Sequence, residues 1–322
     1  MSEKHDILVL EPGMQTTVQD LGRPGWTHIG VPRGGAADAL SLRVGNRIVG
    51  NDDHLAALEM TLIGATLEFT RDLMIVLTGG HVEARMEPGN ASCRPARYSP
   101  FHMHAAQRLV VGAIQRGVRT YLCVAGGIDV PVRLGSRAAC VGGGFGGLDG
   151  RPLRKGDGLC VGAPRHTPVN ILRAGLGQRV DEALFSRRTL RVVDGAHHDS
   201  FRAASVDAML SSDFRVSWQS DRTGLRLEGR VGASSLGGRM PSEGMMHGAL
   251  QVPENGEPIV LMVDHPTTGG YPVIACVAAV DFPVLGQLRA GDLIRFKRVD
   301  RAEARALFAA QEHSLDEDLP NP

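Results

Sequence analysis

The apolar runs of this chain are short, and most follow one another closely. LEMTLIGATLEF, MIVLTG, RLVVGAI and RTYLCVAGG occupy the first half, and FRVSWQS, GLRLEG, PIVLMVD, VIACVAAV and LIRFKRV the second. Parallel strands need a crossover of about a dozen residues between them, usually a helix. Most of these gaps are too short to hold one, so the runs predict a mainly β fold of the sandwich or barrel kind. The 41 glycines and the 4% aromatic content point the same way. Glycine serves tight turns and positive φ, which a chain of short strands needs often. These glycines have no three-residue period, which excludes a collagen-like chain.

One hydrophobic core stops growing at roughly 250–300 residues. The chain has 322 residues, 43% of them apolar, so two domains are expected. An internal echo locates them. LRKGDGLCV (Leu153–Val161) resembles LRAGDLIRF (Leu288–Phe296): a charged turn, Gly-Asp, then an apolar strand. This predicts two related β-domains, 1–188 and 189–300, each closed by a similar last strand. Between them, ILRAGLGQRVDEALFSRRTL reads as a connector. A helix is predicted over Asp38–Val49, with Asp38 as N-cap, Leu40, Val44 and Ile48 on one face, and Gly50 as the stop. A second covers Ser200–Leu210. The segment 301–322 is expected to hold a helix over Arg301–Gln311, then a disordered acidic tail whose removal is harmless.

The 35 basic and 35 acidic residues balance, which gives no reason to expect a nucleic acid or an anionic membrane as partner. The start, MSEKHDILVLEPG, lacks the apolar run of a signal peptide. No stretch approaches the roughly 20 apolar residues of a membrane helix. A cytoplasmic location is therefore expected. The cysteines are Cys93, Cys123, Cys140, Cys160 and Cys276, with no CxxC pair, and read as small core hydrophobes and not as a zinc site.

The segment richest in chemistry is VDHPTTGGYPVIA (Val263–Ala275). Its threonine hydroxyls and close glycine N–H groups suit an anion or a developing oxyanion. SDRTGLRLEG places Asp221, Arg222 and Arg226 around one turn, where an arginine can grip a carboxylate or phosphate. PSEGMMHGALQVPENGEPI offers Ser242, Glu243, His247 and Gln251 for proton transfer and binding, and VQDLGRPG offers Gln19, Asp20 and Arg23. GGGFGG (Gly142–Gly147) fits GxGxxG, but LDGRPLRKGD follows it where a dinucleotide site requires a helix. The chain has no GxxxxGK[ST] loop, Met-Lys-Met tripeptide, HExxH motif or GxSxG elbow. It reads as a pocket-bearing partner in a larger machine.

Taken in order, TTVQDLGRPGWTHIGVPRGGAADALSLRVGNRIVGN, LEMTLIGATLEF, YLCVAGGIDVPVRLGSRA, GGLDGRPLRKGD, SDRTGLRLEG, SEGMMHGALQVPENGEPIVLMVD and TTGGYPVIACV resemble one family. It is the KipA/PxpC family, the C subunits of the ATP-dependent 5-oxoprolinase. That family is similar to the carboxyltransferase region of urea carboxylase, also described as allophanate hydrolase subunit 2. The resemblance implies two tandem cyclophilin-like β-barrel domains with a few short helices. It implies the B-type (PxpB/KipI) protein as direct partner, the A-type (PxpA) protein for full activity, and a small-molecule substrate. ATP and Mg²⁺ would act in the assembled complex, with no covalent biotin on this chain.

The implied reaction opens 5-oxoproline to L-glutamate. Thr267, Thr268, Gly269 and Gly270 would receive the phosphate and the oxyanion, and Arg222 or Arg226 the substrate carboxylate. Asp221 or Asp264 would orient an arginine or take a proton, with Tyr271, Ser242, Glu243 and Gln251 completing the pocket. On this reading Thr268→Ala and Arg222→Ala lower turnover with little loss of folding. The chain departs from the family's usual Gly-Ala-Asp at Gly79-Gly80-His81 and from Asp-Arg-Gln at Asp264-His265-Pro266. Two other readings accompany this one: a biotin-dependent carboxyltransferase component acting on urea or another amide, and a non-catalytic antagonist of a KipI-type kinase inhibitor.

Overall fold

The computed structural model describes residues 5–88, 94–167 and 175–320. Cys93 and the first residues of the expected connector lie outside them. The chain divides into two compact units. One comprises Met1–Arg23, Gly34–Glu182 and Ser314–Pro322, the other Pro24–Arg33 and Ala183–His313.

The first unit contains β1 (Ile7–Glu11), β2 (Gln15–Gln19), helix α1 (Ala39–Ile48), β3 (Ala57–Thr61), β4 (Thr66–Phe69), β5 (Leu73–Glu87), β6 (Phe101–Met103), β7 (Arg108–Val124), β8 (Ile128–Asp129) and β9 (Gly158–Val161). They form one sheet in the order β2-β3-β7-β4-β1-β9-β8, with β5 on β7 and β6 on β5. Val9, Leu58, Leu67, Ile75, Leu122 and Leu159 fill its core. Helix α1 forms as its sequence predicts: Asp38 accepts the Ser41 N–H at 2.9 Å, and Leu40, Val44 and Ile48 are buried. The runs MIVLTG, RLVVGAI and RTYLCV do not remain short strands. They join two long antiparallel strands, β5 and β7, whose register shifts at Gly79, His81, Val82 and Ala84. Bulges absorb the glycines that looked like breaks, and cross-strand pairing decides this, not local preference. GGGFGG forms a short 3-10 turn closed by a Cys140–Phe145 bridge, and the Phe145 ring lies 4.9 Å from the Arg23 guanidinium carbon. No helix opens there.

The expected connector contains helix α2 (Leu176–Phe185), with Leu176, Val180 and Leu184 buried four residues apart. The second unit follows with β10 (Thr189–Asp194), α3 (Ala203–Ser211), β11 (Phe214–Val216), β12 (Gly224–Glu228), β13 (Glu243–Gly244), β14 (Ala249–Gln251), β15 (Ile259–Leu261), β16 (Thr268–Gly269), β17 (Val273–Val277), α4 (Phe282–Leu285), β18 (Leu293–Arg298) and the start of α5 (Arg301–Asp318), whose residues from Ser314 onward belong to the first unit. Strands β10-β17-β14-β15-β12-β11-β18 make a closed barrel, sealed by parallel pairing of β18 with β10. Strands β13 and β16 form a separate two-stranded ribbon.

The internal echo is a repeat of structure down to single hydrogen bonds. In the first unit Arg154 N–H donates to the Asp157 carboxylate (2.7 Å), Gly156 N–H to Val9 O (2.8 Å), and Val9 N–H to Asp157 O (2.9 Å). In the second, Arg289 N–H donates to the Asp292 carboxylate (2.8 Å), Gly291 N–H to Val216 O (2.7 Å), and Val216 N–H to Asp292 O (2.9 Å). Gly156 and Gly291 take φ of 89° and 91°, a region that disfavours a side chain. The register continues outward. Ile7 faces Leu159 as Phe214 faces Ile294, and Val9 faces Leu67 as Val216 faces Leu227. Strands β9-β1-β4 thus correspond to β18-β11-β12.

The chain end departs from expectation. Helix α5 continues seven residues past Gln311 to Asp318, and the end is docked, not disordered. Leu315 is 5% and Leu319 0% exposed. Arg47 donates to Asp316 (2.7 Å) and to Leu319 O (2.6 Å), and Arg179 pairs with Asp318 at 2.9 Å. The acidic residues that suggested a solvated tail are the partners of these arginines.

Candidate active site

The ribbon brings together two segments that the sequence holds about 25 residues apart. Glu243 stands opposite Gly269 and Gly244 opposite Thr268. The pairing extends in both directions: Met245 N–H donates to Thr267 O (2.9 Å) and Met240 N–H to Gly270 O (2.9 Å). Thr268, Ser242 and Glu243 are exposed, and Thr267 is half-buried. Beneath the ribbon lies Gln251, buried, its Nε2 3.3 Å from Met245 Sδ. A Cβ on Gly269 would approach that Nε2 to 2.7 Å, so the glycine lets the ribbon settle on β14.

At one end of the ribbon, Gly238, Arg239 and Tyr271 line a cleft of about 360 Å³ together with Ser217, Arg226 and Asn255. Glu228, Glu254 and Glu257 also line it. Arg226 and Arg239 have no ion-pair partner among the described residues. Arg226 alternates with the buried Leu225 and Leu227 along β12, which turns it out of the barrel and toward the cleft.

Arg222 and Asp221, expected beside Arg226, are used differently. Asp221 is exposed, and its Oδ1 accepts the N–H groups of Thr223 (2.7 Å) and Gly224 (3.1 Å), closing the turn. Arg222 is 8% exposed and grips Asp264 through Nε (2.7 Å) and Nη2 (3.2 Å). Of the two roles expected of Asp264, this geometry provides the orienting one. Asp20 and Arg23 anchor the first unit. Asp20 accepts from Gly22 N–H (2.7 Å), Ser136 Oγ (2.6 Å) and Arg137 N–H (2.6 Å), while Arg23 is buried against Ala138 O. His81 meets Asp181 at 2.9 Å, and Asp181 also takes Arg97. Burial, then the nearby Arg97 charge, holds the His81 imidazole below its ordinary value.

Of two further histidines, the sequence offers His247 for proton transfer, whereas His197 carries no motif signal. His197 Nε2 lies 3.3 Å from Glu243, on the ribbon. His247 stacks on Phe282 with centroids 4.0 Å apart, and its buried Nε2 has no hydrogen-bond partner among the described residues. Burial first, then the charges of His265 and Arg33, pushes its imidazole down to about 3. The folded protein thus keeps His247 neutral where the unfolded chain, near pH 6.5, takes up a proton. Stability is whole above about pH 6.5 and falls as pH drops toward 3, at up to about 1.4 kcal/mol per unit. Melting curves at pH 7.5 and pH 5 are expected to show this loss, and His247→Leu to reduce it. An unchanged loss in the variant would remove His247 as its source.

Two β-barrel units, the second bearing a polar ribbon beside an arginine-lined cleft, define the class. The chain belongs to the family described as carboxyltransferase domain, subdomain A and B, which matches residues 29–298. Among its relatives, the 5-oxoprolinase C subunit of Escherichia coli is 41% identical over 92% of each chain. That of Haemophilus influenzae is 33% identical over 96% of each. The crystal structure of Kluyveromyces lactis urea carboxylase superposes with a TM-score of 0.89 at 31% identity. It covers 98% of this chain, which spans only 29% of that larger chain. The expected fold of two tandem barrels agrees with this match.

Proposed function

We propose that this chain is the C subunit of a cytoplasmic, ATP-dependent 5-oxoprolinase, opening 5-oxoproline to L-glutamate with partner proteins of the B and A types. The observation that carries the reading is its end-to-end match, 92% of both chains, to a protein named as the C subunit of 5-oxoprolinase. The site supports it. A five-membered lactam acid needs a grip on its carboxylate and a polar surface at its ring carbonyl. Arg226, Arg239 and Tyr271 offer the first, and Thr268 with Ser242, on one face of the ribbon, the second. The carboxylate role therefore moves from Arg222, engaged with Asp264, to Arg226.

ATP would activate the lactam carbonyl, with Mg²⁺ on its phosphates. Among the described residues no three of His, Cys, Asp or Glu are grouped to hold a metal ion. No helix among the described residues is long and apolar enough to cross a membrane. The likeness to urea carboxylase favours a second reading, a carboxyltransferase component that receives its carboxyl group from biotin on another chain.

The test is reconstitution. The chain is purified with its B- and A-type partners and supplied with 5-oxoproline and ATP, and glutamate and ADP are measured. Coupled formation of both, lost when this chain is omitted, is the expected result. Avidin-sensitive incorporation of bicarbonate would favour the second reading, and a tight but inert complex would reject both.

A further inference from the structure

The loop after β10 lies against β17 and holds one side chain in a defined orientation. Gly195 N–H donates to Ile274 O (3.1 Å) and His197 N–H to Val273 O (3.0 Å). In return Val273 N–H donates to His197 Nδ1 (3.0 Å). A Cβ on Gly195 would stand 2.5 Å from Val273 O, so only glycine allows this approach. An imidazole nitrogen that accepts a backbone N–H carries no proton itself. The proton of the neutral ring is therefore on Nε2, and Nε2 faces the Glu243 carboxylate at 3.3 Å. The histidine is sheltered, at 11% exposure, and the carboxylate is open, at 51%. Glu243 sits on the ribbon opposite Gly269, on the face that meets Gln251.

We infer that Glu243 is the proton-transfer group of the ring-opening step and that His197 is its positioning residue, an inference that rests on the proposed function. Hydrolysis of a lactam forms one C–O bond and breaks one C–N bond. The attacking water must lose a proton, and the departing ring nitrogen, which keeps the electron pair of the broken bond, must gain one. Glu243 takes the first proton and delivers it to the nitrogen, ending as the carboxylate it began as. His197 Nε2–H fixes which way the carboxylate faces and supports its charge while it waits for the proton.

Two measurements judge this. In the reconstituted complex, Glu243→Gln is expected to lower kcat by about 10²–10⁴-fold with little change in KM. His197→Ala is expected to give a smaller loss of kcat, and His197→Gln, whose amide N–H occupies the Nε2 position, to recover part of it. Wild-type turnover in Glu243→Gln overturns the catalytic half. Equal losses in His197→Ala and His197→Gln overturn the positioning half. In the isolated chain, ¹⁵N NMR of His197 is expected to show the Nε2–H tautomer, and an Nδ1–H tautomer overturns the positioning half without reference to activity. An inactive wild-type complex rejects the functional reading, and the catalytic half with it, while the tautomer measurement still decides the geometry.

Discussion

Truncation after Gln311 is expected to cost on the order of 4 kcal/mol or more of stability. Two buried leucines leave together: Leu315 and Leu319 lie four residues apart, each at most 5% exposed. Removing one buried leucine side chain typically costs about 2–5 kcal/mol. The truncation also strips Arg47, itself 2% exposed, of Asp316 and of the Leu319 carbonyl, leaving Asp53 as its remaining carboxylate. A buried charge deprived of partners adds to the loss. The Arg179–Asp318 pair, nearer the surface, adds little. Urea titrations of the full and truncated chains measure the effect. Leu319→Ala alone should reproduce much of it, and an unchanged midpoint in the truncated chain would show that the end docks without contributing.

Arg222→Ala is expected to cost the second barrel about 3–5 kcal/mol of stability. It leaves the half-buried Asp264 carboxylate without the two hydrogen bonds that Arg222 supplies. Arg222→Lys should fall between, since an ammonium cannot reproduce the two-point grip. Thr268→Ala removes only an exposed hydroxyl and is expected to stay within about 0.5 kcal/mol of wild type. The two substitutions, alike when judged from sequence, therefore separate by thermal melting. A loss of turnover in Thr268→Ala would report on the site, whereas in Arg222→Ala it would report first on folding. Equal melting temperatures would mean that the Arg222–Asp264 pair contributes nothing to the barrel.

Several features were legible because their causes are local. Helix α1 is set by a cap and a spacing of four, both within twelve residues. The repeated Leu-Arg-x-Gly-Asp turn is set by one glycine at positive φ and one aspartate accepting from the N–H three residues back. The short spacing of apolar runs excluded a parallel sheet in advance. The tail was misread because composition averages over a segment: its acidic residues outweigh two leucines whose value appears only when they face a buried surface with Arg47 beside it.

The candidate site divides along the same line. Sequence supplied Thr268, Gly269, Ser242 and Glu243 as residue types suited to anions and protons. It could not pair them, because a ribbon's register is fixed by which strands meet across it. Nor could it separate Arg222 from Arg226. Four residues apart around one turn, they end in different environments because closure of the barrel buries the first beside Asp264 and turns the second outward. His197 gave no signal at all, since its orientation comes from a strand 76 residues away. Sequence by itself determined the class of fold, the repeat and the chemical stock of the site, through turn chemistry and periodicity that act within a few residues. Which of those side chains stand together, and which are held fixed, was decided only by tertiary structure, because long-range backbone pairing and burial set both.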